Sequence, residues 1–197
     1  MQILLTLAAV LQRVNDVVLG LGRWIGMAAL AIMVCLILGQ VFFRYVLNDA
    51  PNWTEEGARF CMLWMTGLLA PLAMRLGGFV SIDMLERALP RVLATVLTLV
   101  LLSITMAVLL MAWDKGLNNH VDSLTGRGKS ASLRLPLDWF GGERTKFRNA
   151  WMFSSLFVGV NLLILVTAEL ILRQIITLLG QGDRLKPISS DTSVRAD

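Results

Sequence analysis

Residues 24–43 read WIGMAALAIMVCLILGQVFF, twenty side chains without a charge, closed by Arg23 on one side and Arg44 on the other. A helix of that length is ~30 Å long at 1.5 Å per residue, about the thickness of a bilayer's hydrocarbon core. Gln40 is its only strongly polar group. An apolar run with these flanks decides the fold class, because it reads as a membrane-spanning helix. Gly22 and Gly26 stand four apart at its start, a spacing that lets a second helix backbone come close.

Three further runs extend the pattern. Val92–Trp113 gives 22 uncharged residues between Pro90-Arg91 and Asp114-Lys115. Ala150–Ala168 gives 19, followed by Glu169, three aliphatic residues and Arg173, with Ser155 and Gly159 repeating the small-xxx-small spacing. Phe60–Met74 is shorter, 15 uncharged residues with Pro71 near its end. Its start is well marked. Asn52 is placed to cap, and Glu55 and Glu56 lie in the first turn, where acids suit the free amides and the helix dipole. Glu55 also stands one turn before Arg59. With Arg59 snorkelling, this run reaches spanning length. The expectation is an all-α membrane protein with four transmembrane helices over about 22–44, 55–75, 91–113 and 149–172. They form a single membrane domain, 1–179, followed by a polar tail, 180–197, expected to be flexible.

Ahead of the first span, Leu4, Leu7, Leu11, Val14, Val18 and Leu21 recur at gaps of three and four, while Gln12, Arg13, Asn15 and Asp16 occupy other faces. This predicts an amphipathic helix over 2–21, suited to the membrane interface or to a partner. Met1–Val10 has no basic region and no small-x-small cleavage site follows it, which disfavours a signal peptide. The long segment 114–149 carries seven Lys and Arg and four acids. Its length implies local structure or a docking role.

Composition agrees with the spans and excludes other classes. Of 197 residues, 56% are hydrophobic and 16% charged, against about 25% charged in a soluble domain. The net charge of +4 does not point to nucleic acid, since the basic residues sit between apolar runs, where they meet lipid head groups. They divide nine to nine between the two sides of a four-span layout, so the positive-inside rule fixes no orientation.

Equipment for chemistry is sparse. The single histidine, His120, lies in the long loop, so paired axial haem ligands are missing. Cys35 and Cys61 form no CxxC motif. Phosphate loops, nucleophile elbows and metal-ligand spacings are not seen. No cofactor, catalytic residue, metal ligand or substrate ligand is expected. The first three spans hold no ionisable group in their central parts, where a transport pathway would put one. Glu169 is the one acid near a span's interior, and its bland reading is an i,i+4 pair with Arg173 at the interface. Asn161 is expected to hydrogen-bond a neighbouring helix.

The densest local signal runs from Phe43 to Pro90. It contains Arg44-Tyr45-Val46-Leu47-Asn48, then Trp53-Thr54-Glu55-Glu56-Gly57-Ala58-Arg59, then Arg75-Leu76-Gly77-Gly78 and Ser81-Ile82-Asp83. This resembles the small membrane subunit, the DctQ-like family, of tripartite ATP-independent periplasmic (TRAP) transporters. The Trp-Thr-Glu-Glu-x-x-Arg element is the most specific part. Two departures stand out. Phe79 occupies a position where the family commonly has His, and about a dozen extra residues, including Gly141-Gly142, follow Pro136.

The resemblance implies a multi-pass protein of the bacterial inner membrane, both termini cytoplasmic and the long loop periplasmic. It implies two protein partners, a large multi-span permease subunit and a periplasmic substrate-binding protein, in a secondary, sodium-coupled transporter of organic acids. The small subunit would be non-catalytic and would brace the large one. Arg44, Asn48, Trp53, Glu55, Glu56, Arg59, Arg75 and Asp83 become the interface or structural motif, and Gly22, Gly26, Ser155 and Gly159 the helix-packing positions. Within that motif, Arg44 is expected to pair with Glu55 or Glu56, with Trp53 anchored at head-group level. The alternatives are a membrane anchor for another enzyme complex, marked by a bound chromophore, and a free-standing small transporter, marked by uptake without partners.

Overall fold

The computed structural model describes residues 2–48, 51–77, 90–117, 129–134, 146–148 and 150–180. Four helices carry the fold: α1, Gln2–Val46; α2, Asn52–Arg75; α3, Arg91–Met111; and α4, Ala150–Leu178. Each contains a stretch long and apolar enough to cross a membrane. A π-helical turn, Ala112–Leu117, extends α3. The long loop contributes two short antiparallel strands, β1, Lys129–Arg134, and β2, Lys146–Arg148, with Lys129 opposite Arg148 and Arg134 opposite Lys146.

The amphipathic segment 2–21 is helical and runs into the first span without a break, so α1 is one helix of 45 residues. It ends where Asn48 adopts a left-handed backbone, φ 54°, a conformation that Asn tolerates better than most residues. Arg44 lies in the last turn, where a cation suits the exposed carbonyls. The start of α2 differs from expectation. Asn52 is inside the helix, and the cap is Pro51, held extended at φ −71° and ψ 123°, with no side-chain cap bond. A fixed proline φ presets the entry to a helix, and the Thr54 hydroxyl donates back to the Pro51 carbonyl at 2.7 Å. Gly77, at φ 78°, closes the other end of α2, its amide donating to the Met74 carbonyl.

α2 is central. It packs against α1 on one side and α4 on the other; α1 also touches α4, and α3 docks on α4. α1 is antiparallel to α2, and α2 is parallel to α4, as the paired levels show. Near one end the Trp64 indole donates to the Trp151 carbonyl at 3.1 Å. Near the other the Thr167 hydroxyl lies 3.7 Å from the Met74 sulfur. Leu19, Met74 and Val166 form the buried core of the three-helix junction, with Leu72, Leu102, Leu163 and Leu170 packed around them.

Small residues set how closely the helices approach. A β-carbon at Gly67 would lie 2.6 Å from the Ser155 carbonyl oxygen, and one at Gly159 would lie 2.9 Å from the Gly67 α-carbon. Both are closer than atoms can pack, so this crossing exists because neither glycine has a side chain. Pro71 lies inside α2 and is buried. Its missing N–H deprives the Gly67 carbonyl of its helical donor, and that oxygen would stand 3.0 Å from a Gly159 β-carbon. On α1, Gly26 meets the Leu69 side chain and Gly22 the Leu68 side chain and carbonyl.

Candidate functional site

The buried face of α1 is made of Ala8, Gln12, Asn15, Leu19, Gly22 and Gly26. These recur at gaps of four and three, a helical seam, but apart from Leu19 the seam is small or polar rather than bulky and apolar. The leucine and valine stripe that marks this segment as amphipathic is the other face, with Leu7, Val14 and Leu21 exposed. In lipid this arrangement follows from physics. Hydrocarbon solvates leucine as well as protein does, so small and polar residues are the ones that gain by facing another helix.

The seam delivers Asn15 and Asp16 to a charged cluster with the ends of α2 and α4. Glu169 is fully buried, and Arg75 and Asn15 nearly so. The Arg75 guanidinium donates from Nη1 to Asp16 Oδ1 at 2.7 Å and from Nη2 to Glu169 Oε1 at 3.0 Å. Its Nε lies 3.0 Å from Glu169 Oε2, an ion-pair contact, although the N–H is not aligned for a hydrogen bond. Nη2 also reaches the Gln12 carbonyl at 3.4 Å. The Asn15 amide donates to Glu169 Oε2 at 2.6 Å, and Arg173 Nε donates to Oε1 at 3.2 Å. Two guanidinium groups thus meet two carboxylates, Asp16 being the wetter with a side chain 44% exposed. The charges balance, as burial demands.

Both oxygens of Glu169 are held by donors from α1, α2 and α4. A carboxylate so engaged is committed to joining three helices. The i,i+4 pair with Arg173 exists, but it is one contact among several and is not an interfacial pair in open solvent. Sequence reading singled out Arg75 and Glu169 separately and did not join them, because they are 94 residues apart. Asn15 and Asp16 carried the available signal, polar groups recurring on the face of a helix that continues into a span. Asn161 donates to the Phe157 carbonyl of its own helix at 2.7 Å, so the expected bond to a neighbouring helix is replaced by a local one, the ordinary way a mid-helix polar side chain is satisfied.

The motif residues at the opposite end stand apart from this cluster. Glu55 pairs with Arg59 one turn on, both exposed. Among the described residues no ion pair joins Arg44 to Glu55. Trp53 is exposed at the start of α2, and Glu56 makes a contact of its own. Asn48 supplies the left-handed turn between α1 and α2. Asp83, Gly141 and Gly142 lie outside the described residues. Gly22 and Gly26 face α2, while Ser155 and Gly159 face Gly67.

A family model described as "Tripartite ATP-independent periplasmic transporters, DctQ component" matches residues 33–142, more than half of the chain. The protein belongs to the DctQ family. It is therefore the small component of a TRAP transporter. No curated protein and no solved structure matches the chain. The match begins within α1 and ends before α4. Asn15, Asp16, Glu169 and Arg173 lie outside the matched range, and Arg75 lies within it. The charged cluster is thus a feature of this DctQ chain that its family match does not by itself account for.

Proposed function

We propose that this chain is the non-catalytic small permease subunit of a sodium-coupled TRAP transporter for organic acids, and that it braces the large permease subunit in the inner membrane. A periplasmic binding protein delivers the substrate, both termini face the cytoplasm, and the long loop faces the periplasm. The observation that carries the bracing role is the charged cluster. Its ionised groups are spent on one another, and they tie α1, α2 and α4 at one level while Gly67, Ser155 and Gly159 lock α2 to α4 at another. Such a bundle is built to hold its shape, and its buried acid offers no free oxygen to a passing cation.

The test is reconstitution. Proteoliposomes with the large subunit, this chain and the binding protein should take up the acid on a sodium gradient, and omitting this chain should abolish uptake. Full uptake by the large subunit without it overturns the bracing role. Uptake by this chain alone supports the free-standing transporter instead.

A further inference from the structure

Between α3 and α4 the chain folds back on itself as a two-stranded ribbon, β1 with β2. β1 touches α2, and β2 touches α4. β2 ends at Arg148 and α4 begins at Ala150, and the apolar stretch of α4 that can cross a membrane opens at Trp151. The ribbon is therefore tethered within one helical turn of the point where α4 enters its apolar run. Covalent continuity sets that position. α2 is parallel to α4, so β1 meets the Asn52 half of α2. Trp151 and Trp113 stand at the same end of the bundle, both exposed, and tryptophan collects where apolar and wet surroundings meet.

The register of the ribbon opposes like charges. Lys129 is the partner of Arg148, and Arg134 is the partner of Lys146. Like charges directly across a strand pair weaken it. Neither strand contains an acid, and residues 129–148 carry five Lys and Arg against two acids, net +3. The helices at this end offer few countercharges. Glu55 is already paired with Arg59. That leaves Glu56, which has a contact of its own, and Asp114 in the turn that extends α3. Four cations gathered at two register positions call for an anion from outside the chain. A phospholipid head group and an acidic protein surface both carry one. The tether to the start of a span favours the lipid, because anionic head groups attract Lys and Arg held next to a membrane helix.

We propose that the β1–β2 ribbon is a docking surface for the head group of an anionic phospholipid, with Lys129, Arg134, Lys146 and Arg148 as its cationic positions. The lipid supplies the negative charge that the ribbon lacks, and its acyl chains share the apolar phase with the start of α4. By screening both like-charge pairs, the bound head group strengthens the pairing of the strands. The inference goes beyond the permease reading and does not depend on it, since this chain alone presents the ribbon.

The test uses the full-length chain in neutral detergent, offered phosphatidylglycerol and phosphatidylcholine at equal concentration, with bound lipid counted by native mass spectrometry. Wild type should favour phosphatidylglycerol by roughly fivefold or more, and the preference should shrink as salt rises. The decisive variant combines Lys146→Glu with Arg148→Glu, which turns both like-charge pairs into opposite-charge pairs. It should bring the preference down to about one, while its melting temperature in phosphatidylglycerol-free micelles stays level or rises. Loss of lipid preference without loss of fold is the result that supports the proposal. A control with Arg184, Lys186 and Arg195 each replaced by Gln removes a comparable charge from the polar tail and should keep the preference. A double variant that still favours phosphatidylglycerol overturns the proposal, as does a tail control that loses the preference equally. A double variant that melts lower also overturns it, because the like-charge pairs would then not be what the lipid relieves. If wild type shows no preference between the lipids, the proposal fails; a periplasmic binding protein retained by wild type and released by the double variant would then assign the ribbon to an acidic protein surface.

Discussion

Replacing Glu169 with Gln changes one atom and one charge, and the structure sets what that should cost. The carboxylate is 0% exposed and lies 3.0 Å from the Arg75 guanidinium. At an effective dielectric of about 20, two unit charges at that distance attract by roughly 5–6 kcal/mol before desolvation is counted. Glutamine keeps the shape and can still accept from Asn15. It leaves Arg75 and Arg173 with Asp16 as the remaining carboxylate of the cluster, a side chain that is 44% exposed. Removing one partner of a buried pair costs about 3–5 kcal/mol, chiefly because the other charge stays buried and unpaired.

The expected result for Glu169→Gln is a loss in that range, read from reversible unfolding of the purified protein in mixed micelles. A double-mutant cycle sharpens it. Arg75→Met and Glu169→Leu should each be costly, whereas the double variant should recover most of the loss, since apolar groups of similar size can replace a buried pair at little cost. A coupling energy below about 1 kcal/mol, or a Glu169→Gln variant within about 0.5 kcal/mol of wild type, would refute the view that this cluster bolts the three helices together.

Glycine substitutions should separate contact from propensity. Gly67→Ala must push a methyl against the Ser155 carbonyl and should destabilise by about 1–3 kcal/mol. Gly20→Ala meets nothing within 4 Å and should stabilise by about 0.5–1 kcal/mol through helix propensity; melting in the same micelles compares them directly. Asn48→Gly should be tolerated at its positive φ, while Asn48→Val should cost about 1–2 kcal/mol, a difference visible in the same unfolding curves. Glu55→Gln removes an exposed i,i+4 pair and should shift stability by no more than about 0.5 kcal/mol, less at high salt.

The four spans were legible because bilayer thickness acts on local sequence. A run such as 24–43 must be about 20 apolar residues long whatever its neighbours do. The caps were less legible. Asn52 has the chemistry of a cap, yet Pro51 takes the place because its backbone is already set at the entry angle. The charged cluster was the least legible part. Its members come from residues 12–16, 75 and 169–173, and local periodicity says which face a residue occupies, not which distant face it meets. The face itself was open to misreading. In water the leucine and valine stripe of 2–21 would mark the core. In lipid the rule weakens, and the seam of Ala8, Gln12, Asn15, Leu19, Gly22 and Gly26 is the side that packs.

That inversion bears on what the 45 residues of α1 must do. A helix whose small and polar side faces its own bundle must show its apolar side to something else. Over the span that something can be lipid, at no cost. Past the level of Arg75 and Glu169 the apolar side continues through Val14, Val10 and Leu7. The polar seam and the apolar stripe therefore answer two different demands on one helix. The seam fixes α1 to α2 and α4 through the charges at Asp16, Arg75 and Glu169, and the stripe, held in place by that attachment, is presented as a rigid apolar edge. On the bracing role proposed above, such an edge is what the subunit would need, because any slack in α1 would be slack in the contact. Glu169→Gln should on this argument lower transport in the assembled system by more than it lowers the amount of subunit recovered in the membrane. Uptake that falls only in proportion to recovery would show that the cluster serves folding alone.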